Sequence, residues 1–138
     1  MSTRFWRIGA KVPADVRARL IEAYPPRFPD VFCDSITWAY RVEEDYSFST
    51  EVQECIVIGH HRAETHDALQ LLLSNRPYRP DGKLLHITMS TAPGVQRAQT
   101  GDFRPEEVIL IPQDQRIAFP VRLERFPLWN SRAKKRAA

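Results

Sequence analysis

Residues 84–90 read LLHITMS and form the most regular alternating segment of the chain. In a β-strand the apolar side chains at 85, 87 and 89 would point to one side, and His86, Thr88 and Ser90 to the other. A turn signal, RPDG, precedes the segment, and a loop signal, APG, follows it. The pattern predicts a half-buried strand whose polar face carries one histidine and two hydroxyl groups.

The chain around this strand predicts one helix and several further strands. A strand over residues 5–12 leads to a helix over 13–24, which Pro13 suits as a first residue and Pro25 ends. A polar turn is predicted over 61–67, and further strands are predicted over 31–42, 52–60, 68–73 (where a short helix is the alternative), 107–111 and 116–123. Together these elements predict an α+β fold of mainly antiparallel sheets, with one clear helix near the N-terminus covering one sheet face.

Length and charge limit the classes of function. At 138 residues, 43% of them hydrophobic and 27% charged, the chain has the size of one globular domain with its own core. We expect this domain to span residues 1–128 and the basic segment 129–138 to be a disordered tail. Without the four cations of its last seven residues, the chain has 16 Lys and Arg against 17 Asp and Glu. The net charge of +3 is therefore weak evidence for a nucleic-acid surface on the folded part.

The apolar segments point to a cytoplasmic protein without a membrane partner. No run is long enough to span a bilayer, and the N-terminus has no apolar region followed by a cleavage site. Cys33 and Cys55 both lie in apolar, strand-like surroundings. We expect them to be buried, reduced thiols rather than a disulfide or a metal-binding pair.

A second predicted strand, residues 31–42, repeats the small polar pattern. Ser35 and Thr37 lie two residues apart on its odd-numbered face, and Arg41 follows on that face. The even-numbered face is bulky and includes Trp38 and Tyr40. Such rings are typical of a core, although bases also stack well on them.

His86 and Thr88 permit two interpretations. An imidazole can accept or donate a proton near neutral pH, and a threonine hydroxyl can hold a phosphoryl oxygen. A half-buried histidine satisfied by a neighbour, beside an ordinary β-branched threonine, accounts for the same spacing without any site. The residues alone leave both interpretations open.

The segment HIT at residues 86–88, on a strand after a Pro-Asp-Gly turn, resembles the second His-x-Thr motif of the two-histidine (2H) phosphoesterase superfamily. The order of elements and the phrases YPPRFPD (residues 24–30) and RPDG (79–82) are similar to small single-domain relatives. The resemblance covers roughly residues 5–125. It implies two pseudo-symmetric lobes around a central cleft and a hydrolase that needs no metal or other cofactor. The implied substrates are 2′,3′-cyclic phosphate ends of RNA, 2′-5′ linkages or cyclic nucleotides.

The first motif departs from the family pattern. Residues 35–37 read SIT, so Ser35 stands where the first histidine is expected, and Thr37 keeps its place. Serine is no general base at neutral pH without an activator, and losing one of two acid–base groups costs roughly 10²–10⁴-fold in rate. The resemblance implies a phosphodiesterase with His86 as acid or base and with Thr37 and Thr88 as phosphate ligands. The alternative is an inactive relative that binds a nucleotide, RNA or a protein partner; Ser35 as an engineered replacement of histidine is a third possibility.

Three further residues are candidate substrate ligands. Arg41 shares the predicted face of Ser35 and Thr37, and Tyr40 could stack on a base. His60, grouped with two more histidines in the predicted turn, could replace the missing base from the rim of the cleft. The spacing of these histidines matches no strong metal motif, so we expect a solvated loop and no metal.

Overall fold

The structure is a computed structural model that describes residues 4–97 and 103–128. In these ranges the chain forms one α-helix and nine strands, which confirms the predicted α+β class with its helix near the N-terminus. The elements are β1 (Trp6–Lys11), α1 (Ala14–Ala23), β2 (Asp30–Val31), β3 (Ser35–Val42), β4 (Val52–Arg62), β5 (His66–Leu73), β6 (His86–Thr91), β7 (Ile109–Leu110), β8 (Ala118–Arg122) and β9 (Glu124–Pro127). The predicted tail lies outside the described residues.

The strands form two antiparallel sheets of unequal size. The smaller sheet has the order β3-β1-β9, and the larger has the order β2-β6-β5-β4-β7, with β8 also paired to β4. Strand β9 pairs with β1, and no sequence signal predicted it. The two polar strands of the sequence, β3 and β6, belong to different sheets.

The predicted single strand over 31–42 is wrong, because the chain changes sheets within it. Cys33 has φ 54°, a left-handed conformation that no regular strand contains. At this corner, the Cys33 N–H donates a hydrogen bond to the Thr88 carbonyl oxygen at 2.8 Å. At the next residue, the Asp34 carbonyl oxygen accepts a hydrogen bond from the Val12 N–H at 2.9 Å. One peptide segment therefore joins β6 to β1, and it brings β3 beside β6.

Helix α1 covers one face of the smaller sheet. It follows Pro13, whose carbonyl accepts the first helical hydrogen bond from Arg17 N at 2.8 Å. Val16 and Leu20, one turn apart, are buried, and the helix ends before Pro25. The opposite face of the sheet is left for the site.

One hydrophobic cluster spans both sheets and the helix. It contains Ile8, Leu20 and Ile36 from the helix-covered side of the smaller sheet, together with Ile87 and Met89 from β6. The apolar face predicted for residues 84–90 is therefore the buried one, as expected. Because β-strand side chains alternate, the polar face of β6 points away from this core.

The structure decides two predictions about the β4–β5 hairpin. The predicted polar turn at 61–67 is wrong, because β4 continues through Arg62 and β5 already begins at His66. The segment 68–73 lies in a strand rather than a helix.

Cys33 and Cys55 are both buried free thiols, and burial raises the pKa of Cys33 to about 11 and that of Cys55 to about 12. Within residues 4–97 and 103–128, no helix is long and apolar enough to cross a membrane.

Candidate functional site

A pocket of about 380 Å³ opens on the side of the two sheets that faces away from the helix. Ser35 and Thr37 of β3 line it together with His86 and Thr88 of β6. Its other lining residues are long or charged: Arg7, Tyr40, Arg79, Lys83 and Arg97. The pocket thus contains both polar strand segments of the sequence and four cationic side chains.

Strand alternation and the corner at Cys33 explain why these segments meet. Ile36 and Ile87 are both buried in the core, so their neighbours in sequence point to the opposite side of each sheet. The corner places β3 next to β6, so the two polar faces line the same pocket. Ser90, the third polar residue of β6, does not join them, because its hydroxyl is fully buried and donates to Asp67 Oδ2 at 2.8 Å.

His86 is held as a neutral imidazole. Its Nδ1 lies 2.9 Å from the Leu84 carbonyl oxygen, which can only accept, so we assign the proton to Nδ1. Burial lowers the pKa of His86, and the charges of Arg79 and Lys83 lower it further, against the raising effect of the Leu84 hydrogen bond. The Phe103 ring packs edge-on against the imidazole at 5.7 Å between centroids. In this tautomer Nε2 is a proton acceptor at neutral pH.

Arg7 lines the pocket, and Gly9 leaves room for its guanidinium group. Its Nη1 is 3.4 Å from both Thr37 Oγ1 and the Ile36 carbonyl oxygen. A Cβ on Gly9 would stand 2.6 Å from Arg7 Nη1. Burial lowers the pKa of Arg7, and the neighbouring charge of Arg97 lowers it further. The carboxylate of Asp34 acts in the opposite direction and raises the pKa of Arg7.

Two aspartates hold two of the other cations. Arg97 Nη2 donates to Asp34 Oδ1 at 2.7 Å and to Ser35 Oγ at 3.3 Å, and Arg79 Nη2 donates to Asp81 Oδ2 at 2.7 Å. The Arg79 side chain is only 9% exposed, and its Nε has no hydrogen-bond partner among the described residues. Four cations thus line the pocket, and a carboxylate lies beside Arg79 and another beside Arg97.

Irregular pairing places Tyr40, rather than Arg41, at the pocket. Ile8 pairs with Ala39 but the next residue of β1 pairs with Thr37, so Trp38 is an extra residue that shifts the alternation by one. Tyr40 consequently lines the pocket and is 58% exposed. Arg41 has φ 60° and its guanidinium packs 5.0 Å from the centre of the Phe5 ring. Arg41 is therefore not one of the residues that line the pocket.

The histidines of the β4–β5 hairpin do not line the pocket. The His60 ring lies 5.9 Å from the Tyr24 ring, and His61 Nε2 lies 3.2 Å from Glu107 Oε2. The hypothesis that His60 replaces the missing base receives no support from this placement. Within the described ranges, no three His, Cys, Asp or Glu side chains come together in a group that could hold a metal ion.

Sequence reasoning missed three of the pocket cations. Arg7 alternates on β1 with the buried Ile8 and Ala10, so the same period-two pattern that marks β6 could have placed it on the polar face. Arg79 begins the RPDG turn, and Lys83 follows that turn, immediately before the apolar pair at residues 84 and 85. A turn signal predicts a loop but not the direction in which its side chains point.

Comparisons of the chain with protein-family models, with curated proteins and with solved structures find no match.

Proposed function

We propose that the pocket binds a phosphodiester and that His86 serves as its proton-transfer group. The ligand would be a 2′,3′-cyclic phosphate end of RNA, a 2′-5′ linkage or a cyclic nucleotide. The observation that carries the proposal is the convergence, in one pocket, of a neutral histidine, the hydroxyls of Thr37 and Thr88, and four cations. The likeness of residues 86–88 to a His-x-Thr motif supports the same chemistry.

The charges and donors of the pocket suit a phosphoryl group. Guanidinium groups bind phosphate oxygens in pairs of charge-assisted hydrogen bonds, and hydroxyls add neutral donors. The buried Arg79 Nε lacks a partner among the described residues, and a phosphate oxygen would supply one. An anion would also reduce the repulsion that Arg7 experiences from Arg97. Binding therefore requires no metal ion in this proposal.

The hydrolytic step assigns one proton to His86. Nε2 accepts a proton from a water molecule as the water oxygen bonds to phosphorus, and the bond from phosphorus to a ribose oxygen breaks. That ribose oxygen then needs a proton, which in the two-histidine pattern comes from the position of Ser35. Since a serine hydroxyl is a poor acid, the leaving oxygen would take its proton from solvent, and turnover would be slow.

The second candidate function is binding without turnover. Ser35 favours it, because in the part of the chain that the structure describes His86 is the one imidazole that lines the pocket. The same cations and hydroxyls would then hold a nucleotide or an RNA end without hydrolysing it.

Assays with 2′,3′-cyclic nucleotides and a 2′-5′-linked dinucleotide separate the two functions. In the enzyme, we expect His86→Ala to lower turnover by roughly 10²-fold or more with little change in ligand affinity. His60→Ala is the matched control, a histidine removed from outside the pocket, and should retain turnover. A loss of turnover in His60→Ala but not in His86→Ala would contradict the assignment of the base.

Affinity measurements complete the test. Saturable binding without turnover, weakened by Arg7→Gln and Thr37→Val, would establish the binding module instead of the enzyme. If no phosphodiester is turned over or bound, both candidate functions are wrong.

A further inference from the structure

The pocket side of the smaller sheet continues beyond the pocket itself. On β1, Arg7, Gly9 and Lys11 alternate with core residues, and Lys11 pairs with Ser35 across the strands. Side chains of directly paired residues lie on the same side of a sheet, so Lys11 stands beside the pocket hydroxyl. Arg7 pairs with Phe126 of β9 in the same way. We call Arg7, Lys11, Phe126 and Tyr40 the sheet track.

The Phe126 ring contacts both cations of the sheet track. The Arg7 guanidinium lies 4.7 Å and the Lys11 ammonium 5.8 Å from the centre of its ring, both within the range of cation–π attraction. Arg7 lines the pocket, whereas Lys11 is exposed and is not a lining residue. The ring therefore links a cation inside the pocket to one immediately outside it.

Tyr40 adds an exposed ring at the pocket rim. The shift of alternation at Trp38 places it on the pocket side, where it is 58% exposed. A large exposed aromatic side chain next to cations is the combination on which single-stranded nucleic acids stack. Glu124, which pairs with Gly9, adds a carboxylate to this side and lies on the edge strand β9.

We infer that the sheet track binds the RNA strand that leads to the phosphate in the pocket, so that the ligand is an RNA end rather than a mononucleotide. This inference rests on the proposed function. Tyr40 stacks on the terminal base, and Lys11, which shares the Phe126 ring with the pocket residue Arg7, holds the preceding phosphate. Charge complementarity favours a polyanion on the track. The ring of Tyr40 favours nucleic acid over an acidic peptide, because each nucleotide brings a base together with its charge.

Titration calorimetry with uridine 3′-phosphate and with tetrauridylate 3′-phosphate tests the inference. The folded chain should bind the tetranucleotide more tightly than the mononucleotide. In Lys11→Gln we expect the tetranucleotide affinity to fall about fivefold, and the slope of log K against log salt to lose about 0.7 in magnitude, the value for one released counterion. The mononucleotide affinity should stay unchanged, since Lys11 lies outside the pocket.

Arg19→Gln is the matched control. It also removes one exposed positive charge, but from α1, on the other side of the sheet. Both affinities should stay at the level of the unaltered chain. If Arg19→Gln and Lys11→Gln weaken tetranucleotide binding equally, the loss of affinity reflects net charge alone, and the proposed RNA binding by the sheet track is wrong.

Further outcomes separate the track from the pocket. If the mononucleotide binds but the tetranucleotide binds no more tightly, the track is wrong and the proposed function stands. If tetrauridylate binds through Lys11 equally well with a 3′-hydroxyl end, the track stands and the phosphate pocket is wrong. If a hexa-aspartate peptide competes as well as the tetranucleotide, the assignment to RNA is overturned.

Discussion

His86 illustrates, at the scale of one residue, how the surroundings select a protonation state. The Leu84 carbonyl fixes the proton on Nδ1, and burial beside two cations disfavours a second proton. The sequence predicted that a histidine occupies this position on a polar face. Arg79 and Lys83, whose charges add to the larger effect of burial on the pKa of His86, come from a turn whose direction the sequence did not reveal.

The pKa of His86 should therefore lie below the usual value of about 6.5. Any turnover that uses the neutral ring should rise with pH through this lowered pKa and stay level above it. Proton NMR of the imidazole measures the pKa directly. Inorganic phosphate should raise it, because a bound anion offsets the cations that lower it. A His86 pKa at or above 6.5 in the protein without phosphate would contradict the described environment.

Ser35 is the residue at which the site departs from a two-histidine arrangement. Its Oγ accepts a hydrogen bond from Arg97 at 3.3 Å, and Ser35 lines the same pocket as His86. If the proposed chemistry is right, Ser35→His supplies the missing acid, and turnover of a 2′,3′-cyclic nucleotide should increase by about 10²–10⁴-fold.

Ser35→Asn is the control for that substitution, because it fills similar space without titrating. It should leave turnover near the starting rate. No increase in Ser35→His, with ligand affinity retained, would show that an acid at this position is not what limits the reaction.

At the scale of the element, β1 depends on a close approach that only glycine permits. A Cβ on Gly9 would meet the Ile36 carbonyl oxygen at 2.3 Å and Arg7 Nη1 at 2.6 Å. The first is backbone of the paired strand and cannot move aside as a side chain does. Gly9 thus serves both the β1–β3 pairing and the position of Arg7.

We expect Gly9→Ala to lower the free energy of unfolding by about 3 kcal/mol, the upper part of the range for overpacking, and to weaken phosphate binding. Denaturant unfolding and phosphate titration measure the two effects. Gly94→Ala is the control: it has φ +84° but open space around the added methyl group, so it should cost only about 1 kcal/mol. Equal losses in both variants would contradict the close approach.

Strand β3 shows why sequence alternation fails locally. The period-two pattern places Ser35, Thr37 and Arg41 on one face, and the structure agrees for the first two. Beyond Trp38 the strand contains more residues than its partner, so Tyr40 takes the place that Arg41 was expected to hold. Such an insertion is set by pairing with β1, which the residues of β3 do not encode by themselves.

At the scale of the whole molecule, a buried carboxylate ties the proline-rich connector to the larger sheet. Asp67 of β5 accepts from Arg27 Nε at 2.6 Å and from the Arg27 backbone N–H at 2.9 Å, and Ser90 donates to it at 2.8 Å. Ser90 in turn lies 3.3 Å from the Phe28 backbone N–H, which donates to its hydroxyl. These bonds join residues that are 23 to 62 positions apart in the sequence.

Asp67→Asn should lower the free energy of unfolding by about 2–3 kcal/mol, because it leaves the Arg27 hydrogen bonds without a charged acceptor. A double-mutant cycle with Arg27→Ala should show that most of this loss is shared between the two residues. Asp114→Asn, an exposed aspartate elsewhere, is the control and should be nearly neutral. Additive losses from Asp67→Asn and Arg27→Ala would contradict the pairing.

The sequence by itself determined the α+β class, the helix near the N-terminus, the buried side of β6 and the polar residues on its other side. These follow from alternation, helical spacing and proline positions, which are local properties of the chain. Only the tertiary structure decided that β3 and β6 are neighbours and that Arg7, Arg79, Lys83 and Arg97 converge on one pocket. The physical reason is that strand pairing, the left-handed corner at Cys33 and the extra residue in β3 depend on partners far away in sequence.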